Sequence, residues 1–533
     1  MSKPLVTSSI AAPGFAGLNL QDAPTSLEAG FALEANNCVI DKFGRIGARK
    51  GWTAYLPSNT DLSTASVDTI AEVLSPTASD NQLIAAGNDK LFVSDGTELV
   101  NKLVRNSTDT GNATYTITDS HWQSVSIPDV TNARGRAVLT QAGHKPLLFN
   151  YSSVTSAYVF QVLADLATLP AVPIAHTSTT FTPNCALSAY GRVWVADIAN
   201  DRQTVYFSDL TDPLNFQTGT AGALNISEVV GDGDPITALA FHNGFLIIFC
   251  ENHTVVYNGA QDPASLVLAD VVTGIGCLAR DSVQPTGTDI IFLSSTGVRS
   301  FSRTIQEKSM PMRDVSKNVR DELLESLALT TDVRTIKSGY SAQEAFYVLS
   351  FSAIDMVYCF DSRSLLPDGS ARATTWDTIT PKAFCTTFNR EFLLGQAGYI
   401  GLYNGYVDNT APYRMSYYSS YFDFQQPTTS KILKKIEMLF IGAQNQNMTV
   451  KWDFDFKKAY QSTTSVIAPS VIAEYGVSEY GIGEYSGGII IWNNNINAGG
   501  TGKTLQLGFE TDIDNNAVSL QKVDVFVKGG KTL

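Results

Sequence analysis

A glycine-rich segment near the C-terminus could bind a phosphate group. Gly499–Thr504 reads GGTGKT, the ending of a phosphate-binding loop, but that loop requires glycine where this chain has Asn497. The residues that follow, TLQLGFE, have the pattern of a strand, so no helix N-terminus is available to hold the phosphate. We therefore interpret the segment as a β-turn.

Two acidic segments carry oxygen ligands that could suit a calcium ion. ETDIDNN at Glu510–Asn516 resembles the start of a calcium loop, but Ala517 occupies the position of the required glycine and Val523 that of the bidentate glutamate. We expect a hairpin tip there. GDGDP at Gly231–Pro235 could ligate a cation through its two aspartates, although carboxylates among glycines are more typical of a turn.

The histidines and serines form no recognisable catalytic motif. The five histidines show neither HExxH nor a ligand pair at helical spacing, and no GxSxG segment is present. The segment Ser94–Thr97, SDGT, resembles a sialidase box only faintly. A Ser/His/Asp triad and a glycosidase carboxylate pair stay open, because their members need not be neighbours in sequence. The sequence nominates no catalytic residue, metal ligand or cofactor.

The elements that would position any such residues are recurring β-hairpins. Seven pairs of strand-like runs, each pair joined by a polar or glycine-containing turn, begin 44 to 56 residues apart; they start at Gln82, Arg136, Arg192, Phe245, Asp289, Ala345 and Glu391. A period near fifty is typical of propeller blades with four strands each. The spacing predicts an all-β fold with a β-propeller of six or seven blades over residues 53–405. A stack of β-sandwiches is the alternative.

One helix interrupts this pattern. Pro311–Leu329 places four apolar residues on one helical face, with Asp314 or Ser316 positioned to cap the first turn; the four are Val315, Val319, Leu323 and Leu327. The apolar stripe predicts docking on a blade or on a neighbouring subunit, and the simplest interpretation is a surface helix between blades.

The pattern changes after about Tyr406. Apolar residues alternate with polar ones in four segments, which indicates half-buried antiparallel strands; these are Ile436/Met438/Phe440, Val450/Trp452/Phe454/Phe456, Leu505/Leu507/Phe509 and Val523/Val525/Val527. Residues 406–533 therefore predict a β-sandwich-like platform domain, to which residues 1–52 contribute an N-terminal arm.

A glycine-rich loop within this domain carries a triple Glu-Tyr repeat, AEYGVSEYGIGEYSGG. Its glycines argue against a long regular element, so we expect a loop that presents tyrosines to a partner. The predicted subunit-contact residues are Tyr475, Tyr480 and Tyr485.

Composition limits the setting in which the protein works. The net charge is −14, so the surface repels nucleic acid phosphates and any role with DNA has to be non-adhesive. The first twenty residues do not read as a secretory signal, which suggests synthesis in a cytoplasm, and no run is long and apolar enough for a membrane helix. The six cysteines are widely spaced without a CxxC pair, and we expect free thiols.

Several segments, taken in order, resemble tail proteins of short-tailed bacteriophages. The opening of that family has a Gly-Leu-Asn, then a proline, a Glu-Ala-x-Asn segment and a Gly-x-x-x-Arg-Lys-Gly ending. This chain matches at Gly17–Asn19, Pro24 and Glu34–Asn37, and Gly47–Gly51 (GARKG) keeps the Arg-Lys-Gly ending with one residue instead of three after the first glycine. Further matches are VYFSDLTDPLNF from Val205, GDGDPITALAFHNGFLIIF from Gly231, GCLARDSV with LSSTGV from Gly276, the Glu-Tyr-Gly repeat and the closing FETDIDNNAVSLQKVDVFVKGG. The order of these motifs carries the resemblance.

The resemblance to tail nozzle proteins, also called tail tubular protein B or phage stabilisation proteins, implies a structural virion component. It implies six copies in a ring below the tail adaptor, forming the distal tube through which double-stranded DNA leaves for the host. Tail fibres or spikes and the host envelope would be further partners, and no catalytic residues are implied. The alternatives from other function classes are a receptor-binding propeller that holds a host glycan and a glycan-degrading tail enzyme.

Overall fold

The structure, a computed structural model, describes residues 5–57, 59–127, 134–163, 181–210, 212–302, 314–442, 446–466 and 491–532. Its N-terminal arm consists of short strands. Their bounds are β1 (Leu5–Ala11), β2 (Gly17–Leu18), β3 (Phe31–Asn36), β4 (Cys38–Ile40), β5 (Ile46–Ala48) and β6 (Trp52–Leu56).

Six four-stranded antiparallel blades and one three-stranded unit follow in chain order. Blade 1 is β7 (Thr69–Val73), β8 (Gln82–Gly87), β9 (Lys90–Ser94) and β10 (Leu99–Asn101); blade 2 is β11 (Gln123–Ile127), β12 (Arg136–Thr140), β13 (Leu147–Ser152) and β14 (Ala157–Val162). Blade 3 is β15 (Cys185–Ala189), β16 (Arg192–Ala196), β17 (Thr204–Phe207) and β18 (Gly222–Asn225); blade 4 is β19 (Ile236–His242), β20 (Phe245–Cys250), β21 (His253–Asn258) and β22 (Val267–Thr273).

The three-stranded unit and the last two blades complete the set. The unit is β23 (Gln284–Pro285), β24 (Ile290–Ser294) and β25 (Gly297–Ser300). Blade 5 is β26 (Ile336–Ser341), β27 (Phe346–Phe351), β28 (Met356–Asp361) and β29 (Arg372–Trp376). Blade 6 is β30 (Phe384–Thr386), β31 (Phe392–Gln396) and β32 (Tyr399–Tyr403), with β6 of the arm as its outermost strand.

All seven predicted hairpins are present as paired antiparallel strands. Local sequence explains this result, because apolar residues cover both faces of each hairpin and turn residues join its strands. Asn88 and Asp89, for example, both adopt positive φ between β8 and β9, a conformation that these residue types tolerate in tight hairpins. The prediction of six or seven blades is confirmed.

The blades close into a ring because neighbouring blades share apolar clusters. Ile247 and Phe249 of blade 4 pack with Phe292 of the three-stranded unit, and comparable clusters join the other neighbours. The ring closes where Leu56 of the arm and Ile400 of blade 6 pack with residues of blade 1. This closed arrangement excludes the stack of sandwiches for the propeller residues.

Two α-helices have both of their ends among the described residues, the single turn α1 (Ser227–Val230) and the ten-residue α2 (Arg320–Leu329). The predicted apolar stripe is confirmed: Val319 and Leu323 are fully buried in the core of the chain itself. The capping prediction is wrong, because Ser316 Oγ instead accepts a hydrogen bond from the Val298 amide (3.0 Å) and Asp314 lies buried near two arginines. The helix begins later than predicted, after a 3₁₀ turn; residues 311–313 lie outside the described residues.

The remaining strands form the platform. They are β33 (Tyr413–Ser419), β34 (Thr429–Gly442), β35 (Asn447–Phe454), β36 (Gln461–Val466), β37 (Ile491–Ile496), β38 (Thr501–Gly502), β39 (Leu505–Ile513) and β40 (Val518–Thr532). One layer has the order β37-β34-β40-β5-β4, with β1 pairing with β40 and β38 with β34; the facing layer has the order β3-β33-β39-β35-β36.

The two layers pack as a sandwich through the predicted alternating residues. The ring centroids of Phe440 and Phe509 lie 5.3 Å apart across the interface, and both side chains are fully buried. The prediction failed only at Phe456, which is 45% exposed with φ of 60°, because β35 ends at Phe454.

Strand β3 joins the propeller to the platform. It pairs with β29 of blade 5 at one edge and with β33 of the platform at the other, so a single ten-stranded sheet runs from blade 5 into the sandwich. The arm also contributes β1 and β5 to the other platform layer, where both pair with β40.

Candidate functional site: the propeller axis and the arm junction

The three tyrosines predicted to contact a neighbouring subunit, Tyr475, Tyr480 and Tyr485, lie outside the described residues. The strands that flank their segment are described. Both are outermost strands, β36 in one platform layer and β37 in the other, and they lie side by side: the Asn494 side-chain amide donates a hydrogen bond to Ser465 Oγ (3.0 Å).

The GGTGKT segment is a turn and short strand, as predicted. Thr501 and Gly502 form β38 and pair with β34, and β39 follows directly, so no helix N-terminus is available. The glycines serve packing, because a Cβ atom on Gly500 or Gly502 would lie 2.3 or 2.7 Å from the Phe454 side chain.

The acidic segments are structural in the described residues. ETDIDNN spans the end of β39 and its hairpin tip. In GDGDP, Asp234 accepts hydrogen bonds from the Asn252 amide (3.0 Å) and from His253 Nδ1 (2.6 Å), which ties the loop before β19 to the β20–β21 turn. No group of three or more His, Cys, Asp or Glu residues in the described part of the chain is arranged to hold a metal ion.

A set of charged side chains meets at one end of the propeller axis. The first strands of neighbouring blades pack side by side around the axis, which brings together the residues at and just before the starts of these strands. These residues, the axial cluster, are Asp119, His121, Asn184, Arg280, Asp281, Asp332, Arg334 and Lys337. They come from blades 2, 3 and 5 and the three-stranded unit.

Arg280 is the centre of the axial cluster. Its guanidinium donates to Asp281 Oδ1 (2.7 Å), to the backbone carbonyl and side-chain oxygen of Asn184 (both 2.8 Å), and to the His121 carbonyl (2.9 Å). Its side chain is 8% exposed. One buried cation therefore connects the three-stranded unit to blades 2 and 3.

A second connection joins blades that face each other across the ring. Arg334, before β26 of blade 5, pairs with Asp119, before β11 of blade 2; Arg334 also binds Asp332 (2.7 Å), and Asp119 binds His121. Burial by itself would raise the pKa of Asp119, but His121 and Arg334 outweigh it and hold that pKa well below its usual range. Since blades 2 and 5 lie on opposite sides of the ring, this ion pair crosses the axis.

Asp281 has a similar environment. Lys337 of β26 pairs with Asp281, and the charges of Arg280 and Lys337 overcome the effect of burial, so the pKa of Asp281 lies well below its usual range. A cavity of about 100 Å³ adjoins the axial cluster and is lined by further paired groups, including Asp197 and Arg202 (2.6 Å). Because Arg280, Arg334 and Lys337 pair with acids and backbone groups of other units, the axial cluster holds the blades together.

The arm junction is the second concentration of buried polar groups. The Arg49 side chain is fully buried; its guanidinium binds the Asp408 carboxylate at 2.6 and 2.8 Å, binds Asn37 Oδ1 at 3.1 Å, and stacks on the Tyr413 ring. The Asn37 amide in turn donates to Asp377 (2.7 Å) and to the Arg414 carbonyl (2.7 Å). The arm is thereby fixed to blade 5 and to the platform at one point.

No sequence pattern indicated the axial cluster. The arm junction was visible in the sequence only as two separate motifs. Asp119, Arg280 and Arg334 each precede the first strand of a unit, so comparing the units by their first strands would have drawn attention to them. The Glu34–Asn37 and Gly47–Gly51 motifs supply Asn37 and Arg49 of the junction.

The cysteines are free thiols, as expected, and five of the six are buried. Burial raises the pKa of Cys277 to about 12. No helix among the described residues combines the length and apolar character needed to cross a membrane.

Comparisons with known proteins find no matching protein-family model and no matching curated protein. Among solved structures, the chain is similar to the WD40 domain of Neurospora crassa Pan2, with a TM-score of 0.36 and 10% identity over 67% of this chain and 97% of that one. It is also similar to PorZ of Porphyromonas gingivalis, an essential bacterial surface component of the type-IX secretion system. That match has a TM-score of 0.31 and 12% identity over 69% of this chain and 42% of that one. At these TM-scores neither similarity carries an argument; the strand order above makes this chain a β-propeller protein.

Proposed function

We propose that this protein is a structural component of a short-tailed phage tail, a nozzle protein that assembles into a ring of six below the tail adaptor. The ordered series of family-like motifs along the chain carries this proposal. Its finished location is the virion tail, after synthesis in the cytoplasm of the bacterial host. No catalytic residue or cofactor is assigned.

The arm junction suits a protein that transmits force between its propeller and its platform. Two of the family-like motifs meet there, and Arg49 and Asn37 tie three parts of the chain together through buried hydrogen bonds. The continuous sheet from blade 5 to the platform adds a second connection. A subunit fixed at two points moves as one body, which suits a tube wall that carries force during ejection.

The axial cluster limits where DNA could pass. The Arg334–Asp119 ion pair and the hydrogen bond from Arg280 to the His121 carbonyl connect units on opposite sides of the propeller axis at that end. The proposed passage therefore lies on the axis of the ring of copies. With a net charge of −14, like-charge repulsion lets double-stranded DNA pass without specific binding.

Mass measurement tests the proposal directly. We expect the purified chain, alone or mixed with the tail adaptor, to give a ring of six by native mass spectrometry and electron microscopy. A chain that stays monomeric with the adaptor present contradicts the proposal. So does release of reducing sugar from host envelope polysaccharide, which would support the enzyme alternative, or tight binding of that polysaccharide, which would support the receptor-binding alternative.

The role of the glycine-rich loop is tested separately. Replacing Tyr475, Tyr480 and Tyr485 together by serine should weaken ring assembly while leaving the thermal unfolding of the monomer unchanged, because exposed aromatic residues stabilise interfaces. Tyr55→Ser, at a 39% exposed tyrosine of the propeller, is the matched control. Unchanged assembly of the triple variant would remove the loop from the interface.

A further inference from the structure

The platform layer that contains β34 and β40 has two open edges. On one side β37 pairs only with β34, and on the other β1 pairs only with β40, among the described residues. Each outermost strand therefore leaves a row of backbone N–H and C=O groups facing outward. Such rows are templates for pairing with another strand.

Neither edge carries the features that normally block such pairing. Natural edge strands are protected by charged residues, proline, bulges or a covering segment. The sequences of β1 (LVTSSIA) and β37 (IWNNNI) contain no charge and no proline, and no bulge interrupts the pairing of either strand with its neighbour. The lysines of this layer lie instead on the central strands, for example Lys434 and Lys435 of β34.

In the propeller, the outermost strands of blades 1 to 4 are short, covered, or interrupted by a bulge. The outermost strand of blade 2 is covered, because the Arg105 amide donates to the Phe160 carbonyl (2.8 Å) and the Val162 amide donates to the Arg105 carbonyl (3.0 Å). Blades 1 and 3 end in strands of only three and four residues, and the outermost strand of blade 4 carries Asp270 and a bulge. Among the described residues, uncharged outermost strands without a bulge therefore concentrate in the platform: β1 and β37 in one layer and β36 (QSTTSV) in the other.

Strand directions match the two edges to each other. In the order β37-β34-β40-β1 every neighbouring pair is antiparallel, so β1 runs opposite to β37. If copies follow one another head to tail with their sheets in the same orientation, β1 of one copy lies antiparallel to β37 of the next. The lengths also match, at seven and six residues. A heterologous ring needs two different complementary surfaces on each subunit, and these edges provide them.

We infer that subunits of this protein join by pairing β1 of one copy with β37 of the next, so that the platform layer becomes one continuous sheet around the ring. This inference rests on the proposed ring and names its interface. The occupant of each edge is a second copy of this chain.

The backbone geometry of β1 selects the residue for a test. The Ala12 amide donates to the Gln521 carbonyl (2.9 Å), so by the two-residue alternation of antiparallel strands Ser8 and Ile10 also bond inward to β40. The amides of Thr7 and Ser9 consequently face the open edge. Proline at position 9 removes an outward donor and keeps the inward hydrogen bonds.

Ser9→Pro should raise the protein concentration needed for half assembly by about ten-fold or more, since each interface loses a ladder hydrogen bond and gains a steric block. Ser9→Ala, which keeps the backbone donor, is the control and should assemble like the wild type. Thermal unfolding of both monomers checks that the fold is intact. If Ser9→Pro assembles normally, the inference is wrong while the ring stands; if the wild type forms no ring, the proposed function and the inference both fail.

Cysteine cross-linking tests the same contact without proline. Thr7→Cys is combined with Asn493→Cys or Asn495→Cys, all at exposed positions, and oxidised. We expect a ladder of covalent multimers up to a closed ring from a double variant and no ladder from any single variant. Efficient dimers from Thr7→Cys alone would show β1 pairing with β1 and overturn the inference, as would the absence of a ladder from both double variants in assembled rings.

Discussion

The propeller and the platform both bury apolar cores, but they differ in how they treat the polar groups at their boundaries. The propeller closes: Leu56 and Ile400 seal the ring, Arg280 donates a hydrogen bond across the axis to the His121 carbonyl, and Arg334 pairs with Asp119. The platform leaves the uncharged strands β1 and β37 unpaired on their outer sides among the described residues. A region that satisfies its own polar groups is complete as a monomer, whereas open strand edges are available for pairing with another chain.

Removing the buried cation at the propeller axis should cause the largest loss in the free energy of unfolding. Arg280→Met removes the hydrogen bonds to Asn184 and to the His121 carbonyl and leaves Lys337 as the cation paired with the buried Asp281, and we expect a loss of about 3–5 kcal/mol in the free energy of unfolding, measured by urea denaturation. Arg202→Met, at a 50% exposed arginine that pairs with Asp197, is the control and should cost about 0–1 kcal/mol. Equal losses would mean that the axial cluster does not hold the blades together.

Acid should destabilise both regions through carboxylates whose pKa is lower in the folded state. Hydrogen bonds from Lys451, Tyr418 and Arg414 outweigh burial and lower the pKa of Glu510 in the platform to about 2, while two axial carboxylates, Asp119 and Asp281, are also lowered. Carboxylates whose pKa is lower in the folded state contribute stability that is complete above about pH 5 and is lost as the pH falls toward the folded value.

The urea concentration at which half of the protein is unfolded should therefore decrease as the pH is lowered from 5 to 2. Asp281→Asn should flatten this pH dependence more than Glu510→Gln, because the two cations beside Asp281 are 8% and 6% exposed whereas the two beside Glu510 are 58% and 26% exposed. A steeper profile in either variant than in the wild type would contradict the pKa directions given above.

Two matched core substitutions test whether the propeller and the platform are packed equally well, and they should have the smallest effect on stability. Ile247 in blade 4 and Ile436 in the platform are both fully buried. Replacing either by valine removes one methyl group and should cost about 0.5–1.5 kcal/mol, measured as the change in unfolding free energy. A clearly smaller cost at Ile436 would indicate that the platform packs tightly only after assembly.

Local sequence predicted much of the fold. The seven hairpins depend on alternating or continuous apolar residues and on turn residues such as Asn88 and Asp89, all within about fifteen positions of one another. The platform strands were predicted for the same reason, and Phe456 was misplaced because alternation continues in the sequence past the residue where the backbone turns. The start of α2 was missed because Ser316 and Asp314 bond to distant groups instead of capping the helix.

The sequence by itself determined the class of fold, the approximate number of blades and the segments that form the sandwich, since these follow from periodicities of a few residues. Only the tertiary structure decided that Arg280 binds the backbone of His121, that Arg334 pairs with Asp119, and that β3 is inserted between blade 5 and the platform. The residues that meet in these three contacts are separated in the sequence by 159, 215 and more than 300 positions. Closure of the ring sets such distances, and no local pattern of side chains records which charged residues will face each other once the ring has closed.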